Sequence, residues 1–307
     1  DVDGFIDALY ASDLGGQIFR VDLNMDNTGT GGLVHRVETV ATLGYAESSG
    51  YSTHRRFHAS VSAALAIDSS GDSFLQLVIG SGYRAHPLEK NATQDHIFMI
   101  EDRDIFNAQK AGYTSSGTVT SSDLVDLTSN LSPSAGDLNK RGWRIDLQKV
   151  NGEKVLGAAA ILNGVAFIST YVPVDLSTRS DCAPIQGRSR LYSINVADAS
   201  PAEGSTNDSN LRYEESVSLG LAPEPQILIG GEDDTDTSDD DSDDSSDDDN
   251  LYGLDEACSS ESQVAVLIGT SVRSGGFLKG CGLKKTRWYP VDSEEDANKV
   301  IQHENPN

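Results

Sequence analysis

Apolar and polar residues alternate in short runs along most of the chain, and the runs end at Gly, Asn, Asp or Ser. A period of two places successive side chains on opposite faces of an extended segment, so this pattern predicts β-strands. The predicted strands are 8–12, 17–23, 35–43, 59–67, 74–81, 96–102, 143–148, 154–162, 164–172, 189–197, 225–231, 263–271 and 285–291. Two segments, 102–111 and 293–304, have the composition of short helices instead.

The predicted strands recur in groups of similar composition. A strand of small residues, SVSAALAI (60–67), is followed by a very hydrophobic one, LQLVIGSG (75–82), and then by one with an aromatic residue, IFMIED (97–102). Small side chains suit the crowded inner strand of a propeller blade, and hydrophobic second strands suit burial between blades. The turn in DLGGQIFRVDL (13–23) resembles that of a quinoprotein-like blade. We therefore expect an all-β fold, a partial quinoprotein-like β-propeller with about four blade equivalents of four-stranded antiparallel sheet.

Acidic residues dominate the charge of the chain. The formal net charge is −25, and twelve acidic residues with no basic one lie in 232–249. Such a run repels itself and buries no apolar area, so 232–250 is expected to be a disordered insert. It lies within 1–292, which is expected to be the carboxyl-terminal part of a propeller, and a short tail follows at 293–307. An acidic surface repels phosphate, which argues against nucleic-acid binding. No apolar stretch in the sequence is long enough to span a membrane.

Three cysteines, Cys182, Cys258 and Cys281, are present, and none forms a C-x-x-C pair. A zinc or redox motif is therefore not indicated. One disulfide and one remaining thiol would require an oxidising compartment. The predicted strand order favours Cys182–Cys281, because both residues follow second strands of successive blades, and Cys258–Cys281 stays open as the alternative.

The sequence carries no motif that identifies a catalytic site. There is no nucleophile elbow and no phosphate-binding loop with its lysine. His54 and His58 form the one close histidine pair but lack the H-E-x-x-H context of a zinc site. Arg84 and His86, which lie between a second and a third predicted strand, are expected to order a loop. No catalytic residue is predicted.

The first residues, DVDGFID, match most of an EF-hand type calcium loop. Such a loop takes oxygen ligands from positions 1, 3, 5, 7 and 9, with the position 7 ligand a backbone carbonyl and Gly at position 6. With Gly4 at position 6, Asp1, Asp3, the Phe5 carbonyl and Asp7 fall at positions 3, 5, 7 and 9. Position 1 would lie before Asp1, so a loop without it is expected to bind Ca²⁺ weakly. The alternative interpretation is an Asp/Gly turn that leads into the first strand.

Several separated segments carry a resemblance to a known family. They are DGFIDALYASDLGGQIFRVDL (3–23), HASVSAALAIDSSGDSFLQLVIGSGYRAHPL (58–88), DHIFMIED (95–102), GWRIDLQKVNGEKVLGAAAILNGVAFISTYVP (142–173), DCAPIQGRSRLYSINVA (181–197), VLIGTSVRSGG (266–276) and TRWYPVD (286–292). In this order they resemble the PilY family of type IV pilus assembly proteins and tip adhesins. The segments span most of the chain, so the resemblance is more specific than any one motif.

The resemblance implies a carboxyl-terminal quinoprotein-like propeller with Ca²⁺ bound by Asp1, Asp3, Phe5 and Asp7. It also implies a non-enzymatic role in pilus extension and retraction, twitching motility and surface attachment. The implied partners are minor pilins and other pilus components, with host or abiotic surfaces as further candidates, and the implied location is periplasmic or extracellular. The acidic insert and the absent first calcium ligand depart from the family pattern.

Two other functions remain open from the sequence. The first is a quinoprotein-type oxidoreductase, which would need a calcium-held quinone cofactor and a catalytic aspartate at the axis of a complete ring. The second is a calcium-dependent adhesion or sensory propeller unrelated to pili. A search for a reducible cofactor in the purified protein would distinguish the first, and neighbouring minor pilin genes would argue against the second.

Overall fold

In a computed structural model the described part of the chain forms four β-sheets. The structure describes residues 6–24, 32–44, 54–90, 93–108, 110, 112–147, 152–174, 187–202, 211–221, 223–229, 264–268 and 271–273. The strands are β1 (Ala8–Ser12), β2 (Gln17–Leu23), β3 (Val34–Thr42), β4 (Ser62–Ile67), β5 (Ser73–Gly80), β6 (His96–Asp102), β7 (Val119–Thr120), β8 (Val125–Asp126), β9 (Gly142–Asp146), β10 (Lys154–Val155), β11 (Ala160–Leu162), β12 (Val165–Val172), β13 (Arg188–Asn195), β14 (Tyr213–Leu219), β15 (Gln226–Ile229), β16 (Val264–Ile268) and β17 (Ser271–Arg273). Two single-turn 3₁₀ helices, Ser121–Asp123 and Ala135–Asp137, complete the described elements.

Each sheet consists mainly of strands that are consecutive in the chain. The first has the order β1-β2-β3-β7 and the second β4-β5-β6-β9-β8. The third has the order β10-β12-β13-β14, with β11 also paired to β12, and the fourth is β15-β16-β17. Antiparallel pairing of neighbouring strands produces four meanders, which confirms the predicted all-β arrangement of about four blades.

The hydrophobic cores lie between successive sheets. Leu77 and Ile79 on β5 pack in the core shared with the first sheet, whereas Val78 between them packs in the core shared with the third sheet. On β12, Ala166 packs toward the second sheet and Phe167 toward the fourth. The two middle sheets are therefore covered on both faces, which explains why their central strands are continuously hydrophobic. The sheets stack face to face in chain order, as the blades of a propeller do.

A long connection between β6 and β9 links the outer edges of two sheets. We call residues 103–141 the crossing segment. Its strand β7 pairs parallel with β3 of the first sheet, and its strand β8 pairs parallel with β9 of the second. These two pairs differ from the antiparallel blades that were expected, because strands of two residues are too short to show a sequence period.

Three local predictions differ from the structure. The helix predicted at 102–111 forms turns after β6 in the described residues. The strand predicted at 154–162 is divided into β10 and β11. Between them, the Leu156 carbonyl accepts from Arg84 and the Ala158 amide donates to Glu224, two side chains from neighbouring connections. Strand β14 was not predicted. The strand at 285–291, the helix at 293–304, the acidic insert and the three cysteines lie outside the described residues.

Candidate functional site

The predicted calcium loop lies at the start of β1. Asp7 is described, whereas Asp1, Asp3 and Phe5 lie outside the described residues. Asp7 is half-buried, and its carbonyl accepts a hydrogen bond of 2.8 Å from the amide of Leu23 at the end of β2. Within the described part of the chain, no three histidine, cysteine or acidic side chains converge as a metal site. The calcium ligand set therefore stays a prediction.

A buried charge cluster joins the first two sheets. Arg20 on β2 is 1% exposed, and its guanidinium contacts Asp22 at 2.7 Å, Glu38 at 3.2 Å and Asp102 at 2.7 Å. The Tyr10 hydroxyl donates to Asp102 at 2.7 Å. Burial alone would lower the pKa of Arg20, but its hydrogen bonds to Asp102 and Asp22 raise it. Arg20 therefore stays charged and connects β2 and β3 to the end of β6.

The crossing segment is held against the same cluster. The backbone amide and hydroxyl of Ser116 donate to Asp104 at 2.8 and 2.7 Å, and the Asp104 amide donates to Asp102 at 3.0 Å. The Tyr113 hydroxyl donates to Glu38 at 3.1 Å. The first and second sheets are thus joined by one continuous polar network.

A second buried cluster surrounds His96 on β6. The Arg55 Nε–H donates to His96 Nδ1 at 2.6 Å, so the His96 Nε2 atom carries the proton and lies 2.7 Å from Asp146. Asp146 also pairs with Arg144. Burial, together with the charges of Arg55 and Arg144, lowers the pKa of His96, although Asp146 opposes the shift. His96 is therefore neutral, with both ring nitrogens engaged.

Ser81 and Asp95 lie beside His96 but do not form a catalytic triad with it. The Ser81 hydroxyl donates to Asp95 at 2.7 Å and accepts from the His96 backbone amide at 2.9 Å. The imidazole cannot act as a base toward Ser81, because Arg55 and Asp146 occupy its nitrogens. Burial raises the pKa of Asp95 to about 6, against the opposing effects of Ser81 and the nearby basic groups. This arrangement stabilises the start of β6.

Lys154 on β10 holds the loop that contains Arg84 and His86. Its ammonium is buried and donates to the carbonyls of Pro87 at 3.1 Å, Glu89 at 2.7 Å and Gly152 at 2.6 Å. Three carbonyl acceptors satisfy all three protons of the ammonium group. The loop of the second sheet is thereby attached to the third.

Arg84 reaches from this loop to a cleft between the second, third and fourth sheets. The cleft has a volume of about 260 Å³ and lies where the β5–β6, β10–β11 and β14–β15 connections meet. We call it the loop cleft, and it is lined by Arg84, Leu156, Gly157, Leu221, Pro223, Glu224 and Gln226. The expectation that Arg84 orders a loop agrees with its hydrogen bond to the Leu156 carbonyl at 3.2 Å.

The sequence interpretation missed most of these residues, although one signal was available. Arg20 and Asp22 occupy alternate positions of a largely apolar strand, and both are buried. Charged residues are rarely buried unless they are paired, so this spacing indicates partners on a neighbouring element. The identity of those partners depends on how the sheets stack, which local sequence does not contain.

Comparison with known proteins supports the fold. No family model and no curated protein sequence matches this chain. The solved structure of the Pseudomonas aeruginosa PilY1 C-terminal domain is similar, with a TM-score of 0.50, 14% sequence identity and 88% of this chain covered. The chain spans 57% of the length of that structure. Similarity at this level of identity is informative about the fold, which is all-β and resembles a β-propeller.

Proposed function

We propose that this chain is a non-enzymatic, propeller-like binding module that works in type IV pilus assembly outside the cytoplasm. The proposal is carried by one observation, the similarity of the four stacked sheets to the PilY1 C-terminal domain. The segments that resemble the PilY family lie largely on those sheets, including β1 and β2, β4 to β6 and β9 to β13. Minor pilins and other pilus components are the proposed partners, with surfaces to which cells attach as further candidates.

The arrangement of polar groups supports binding rather than chemistry. In the clusters described above, the charged groups bond to one another or to backbone atoms of neighbouring sheets. Such pairing makes the sheets a rigid scaffold. The connections between strands are then the part of the module that contacts a partner. The imidazole of His96, a potential acid–base group, is fully engaged by Arg55 and Asp146.

Calcium is the proposed regulator of this module. Asp1, Asp3, the Phe5 carbonyl and Asp7 would supply oxygen ligands, which is the chemistry that Ca²⁺ prefers. Because the Asp7 carbonyl is bonded to Leu23, an ion at this loop would order the start of β1 relative to the end of β2. Bound Ca²⁺ would then favour one conformation of the loop, and its loss would release it, which provides a switch for pilus extension and retraction.

The experiment that tests the pilus role is deletion of the gene in its source organism, followed by counts of surface pili and assays of twitching motility. We expect fewer pili and reduced twitching, both restored by the full-length protein. Unchanged piliation and twitching would contradict the proposal. A reducible quinone in the purified protein would favour the oxidoreductase instead.

A further inference from the structure

The loop cleft contains two opposite charges that do not pair with each other. Arg84 and Glu224 both line it, and their described polar contacts are to backbone atoms rather than to each other. The described hydrogen bond of Arg84 uses one Nη1 donor, toward the Leu156 carbonyl, and the described bond of Glu224 uses Oε1, which accepts from the Ala158 amide at 2.9 Å. Each side chain is therefore positioned by backbone and retains further polar atoms for a ligand.

The position of Glu224 depends on a glycine. A Cβ atom at Gly157 would lie 2.6 Å from the Glu224 Cγ atom, which is shorter than any tolerated contact. The absence of a side chain at this position allows the Glu224 side chain to lie across the 156–159 link and reach the Ala158 amide. The preceding residue, Pro223, is held in turn by a 2.8 Å hydrogen bond from the Ser169 hydroxyl to its carbonyl.

Apart from the polar Gln226, the remaining residues that line the cleft are apolar. Leu156, Pro223 and the half-exposed Leu221 line it beside the two charges. Ligand sites for drug-sized molecules have volumes of roughly 300–1,000 Å³, so a cleft of about 260 Å³ suits a smaller molecule. A guanidinium matches a carboxylate through two parallel hydrogen bonds, and a carboxylate matches an ammonium group.

We propose that the loop cleft binds a free amino acid with an apolar side chain. The Arg84 guanidinium receives the α-carboxylate, Glu224 receives the α-ammonium group, and Leu156, Leu221 and Pro223 contact the side chain. This site is independent of the proposed pilus role, because it rests on the cleft alone. A polypeptide end offers only one of these two charges, the ammonium at the N-terminus or the carboxylate at the C-terminus. Amino acids with one of the two groups blocked therefore distinguish a free amino acid from a polypeptide end.

The test is calorimetric titration of the purified full-length protein with L-leucine, N-acetyl-L-leucine and L-leucinamide. We expect L-leucine to bind and each blocked compound to bind at least about tenfold more weakly, because each loses one charge-assisted contact. Absence of L-leucine binding at millimolar concentration would overturn the proposal. Equal binding of N-acetyl-L-leucine or L-leucinamide would also overturn it, and would assign the cleft to a polypeptide end.

Variants locate the binding to the cleft. Glu224→Gln retains an acceptor for the Ala158 amide while removing the charge, and Arg84→Gln removes the cation; each is expected to weaken L-leucine binding by about tenfold or more. Gly157→Ala should weaken it similarly by displacing Glu224. The control is Arg141→Gln, which removes a half-buried arginine that also bonds to backbone carbonyls, those of Ser116 and Gly117. Unaltered L-leucine binding in Glu224→Gln and Arg84→Gln, with unchanged circular dichroism, would contradict the assignment.

Discussion

Arg20 and Asp102 are 82 positions apart in the sequence, and the Arg20 Nη1 atom lies 2.7 Å from both carboxylate oxygens of Asp102. Both residues are almost completely buried. The pair joins β2 of the first sheet to the end of β6 in the second. A charged pair at this position makes the contact between two sheets depend on a specific geometry as well as on apolar area.

Replacing Arg20 with Met should strongly destabilise the fold. The substitution leaves the buried carboxylates of Asp22 and Asp102 without their cation, and loss of one partner of a buried ion pair costs about 3–5 kcal/mol. Urea denaturation measures the change as a lower transition midpoint. The matched control is Arg103→Met, since Arg103 is 44% exposed and its pairs are at the surface. Equal transition midpoints for the two variants would show that burial of the ion pair does not determine the loss of stability.

The contribution of Asp95 to stability should be larger at acidic pH than at neutral pH. Its pKa is raised by burial from 3.8 to about 6, so the folded state binds the proton more tightly than the unfolded state. The resulting stabilisation is complete below pH 3.8 and is lost as the pH rises through about 6. The shift of about two pKa units corresponds to about 3 kcal/mol, at 1.36 kcal/mol per unit.

Asp95→Asn tests this effect because asparagine retains an acceptor for Ser81 but does not titrate. The variant should equal or exceed the wild type in stability at pH 7 and lose that advantage near pH 4. Lys154, Arg55 and Arg56 face this carboxyl group and oppose its shift, so they must remain unchanged in the comparison. A stability difference that is constant between pH 4 and pH 7 would refute the prediction.

His96 should have the opposite effect on stability. Burial lowers its pKa below 6.5, so the neutral imidazole is favoured in the folded state. Its contribution is present above pH 6.5 and is lost as the pH falls toward the folded-state pKa. The Asp95→Asn protein should lose stability as the pH falls below 6.5. We expect the double variant Asp95→Asn/His96→Gln to lose less stability over the same pH range. Parallel stability curves for the two proteins would contradict this expectation.

Removing the Lys154 ammonium should release the loop between β5 and β6. Lys154→Met leaves the carbonyls of Pro87, Glu89 and Gly152 without this donor, and an unsatisfied buried polar group costs about 1–3 kcal/mol. Amide hydrogen exchange at residues 83–90 should become faster. Lys140→Met is the control, because Lys140 also donates to two backbone carbonyls but is exposed. Equal exchange in both variants would argue against a special role for the buried lysine.

Calcium should stabilise the full-length protein through the loop that precedes β1. An ion at 100 times its Kd adds about 2.7 kcal/mol to the free energy of unfolding. We expect Asp3→Asn and Asp7→Asn each to reduce the Ca²⁺-dependent rise in Tm. The exposed Asp72, which lies in the turn between β4 and β5, supplies the control variant Asp72→Asn. A Tm that does not respond to Ca²⁺ in the unmodified protein would remove the proposed switch.

The strand pattern and blade order could be read from the sequence because they depend on neighbouring residues. Strands β5, β6, β12 and β13 lie within one or two residues of their predicted positions. The predicted helix at 102–111 failed because Asp102 and Asp104 are used in tertiary contacts with Arg20 and Ser116 rather than in a helical turn. The division of the predicted strand at 154–162 could not be predicted from local sequence either, since the link between its two parts bonds to Glu224, more than sixty positions away.

The short strands and their meander order follow from the sequence, because side-chain alternation and turn residues act over a few positions. Which buried charges meet depends on tertiary packing, since Arg20, His96 and Lys154 bond to groups from other sheets or from loops. It also decided that Arg84 and Glu224 line one cleft. The physical reason is that burying a charge requires a compensating partner, and stacking of the sheets determines which partner is within reach.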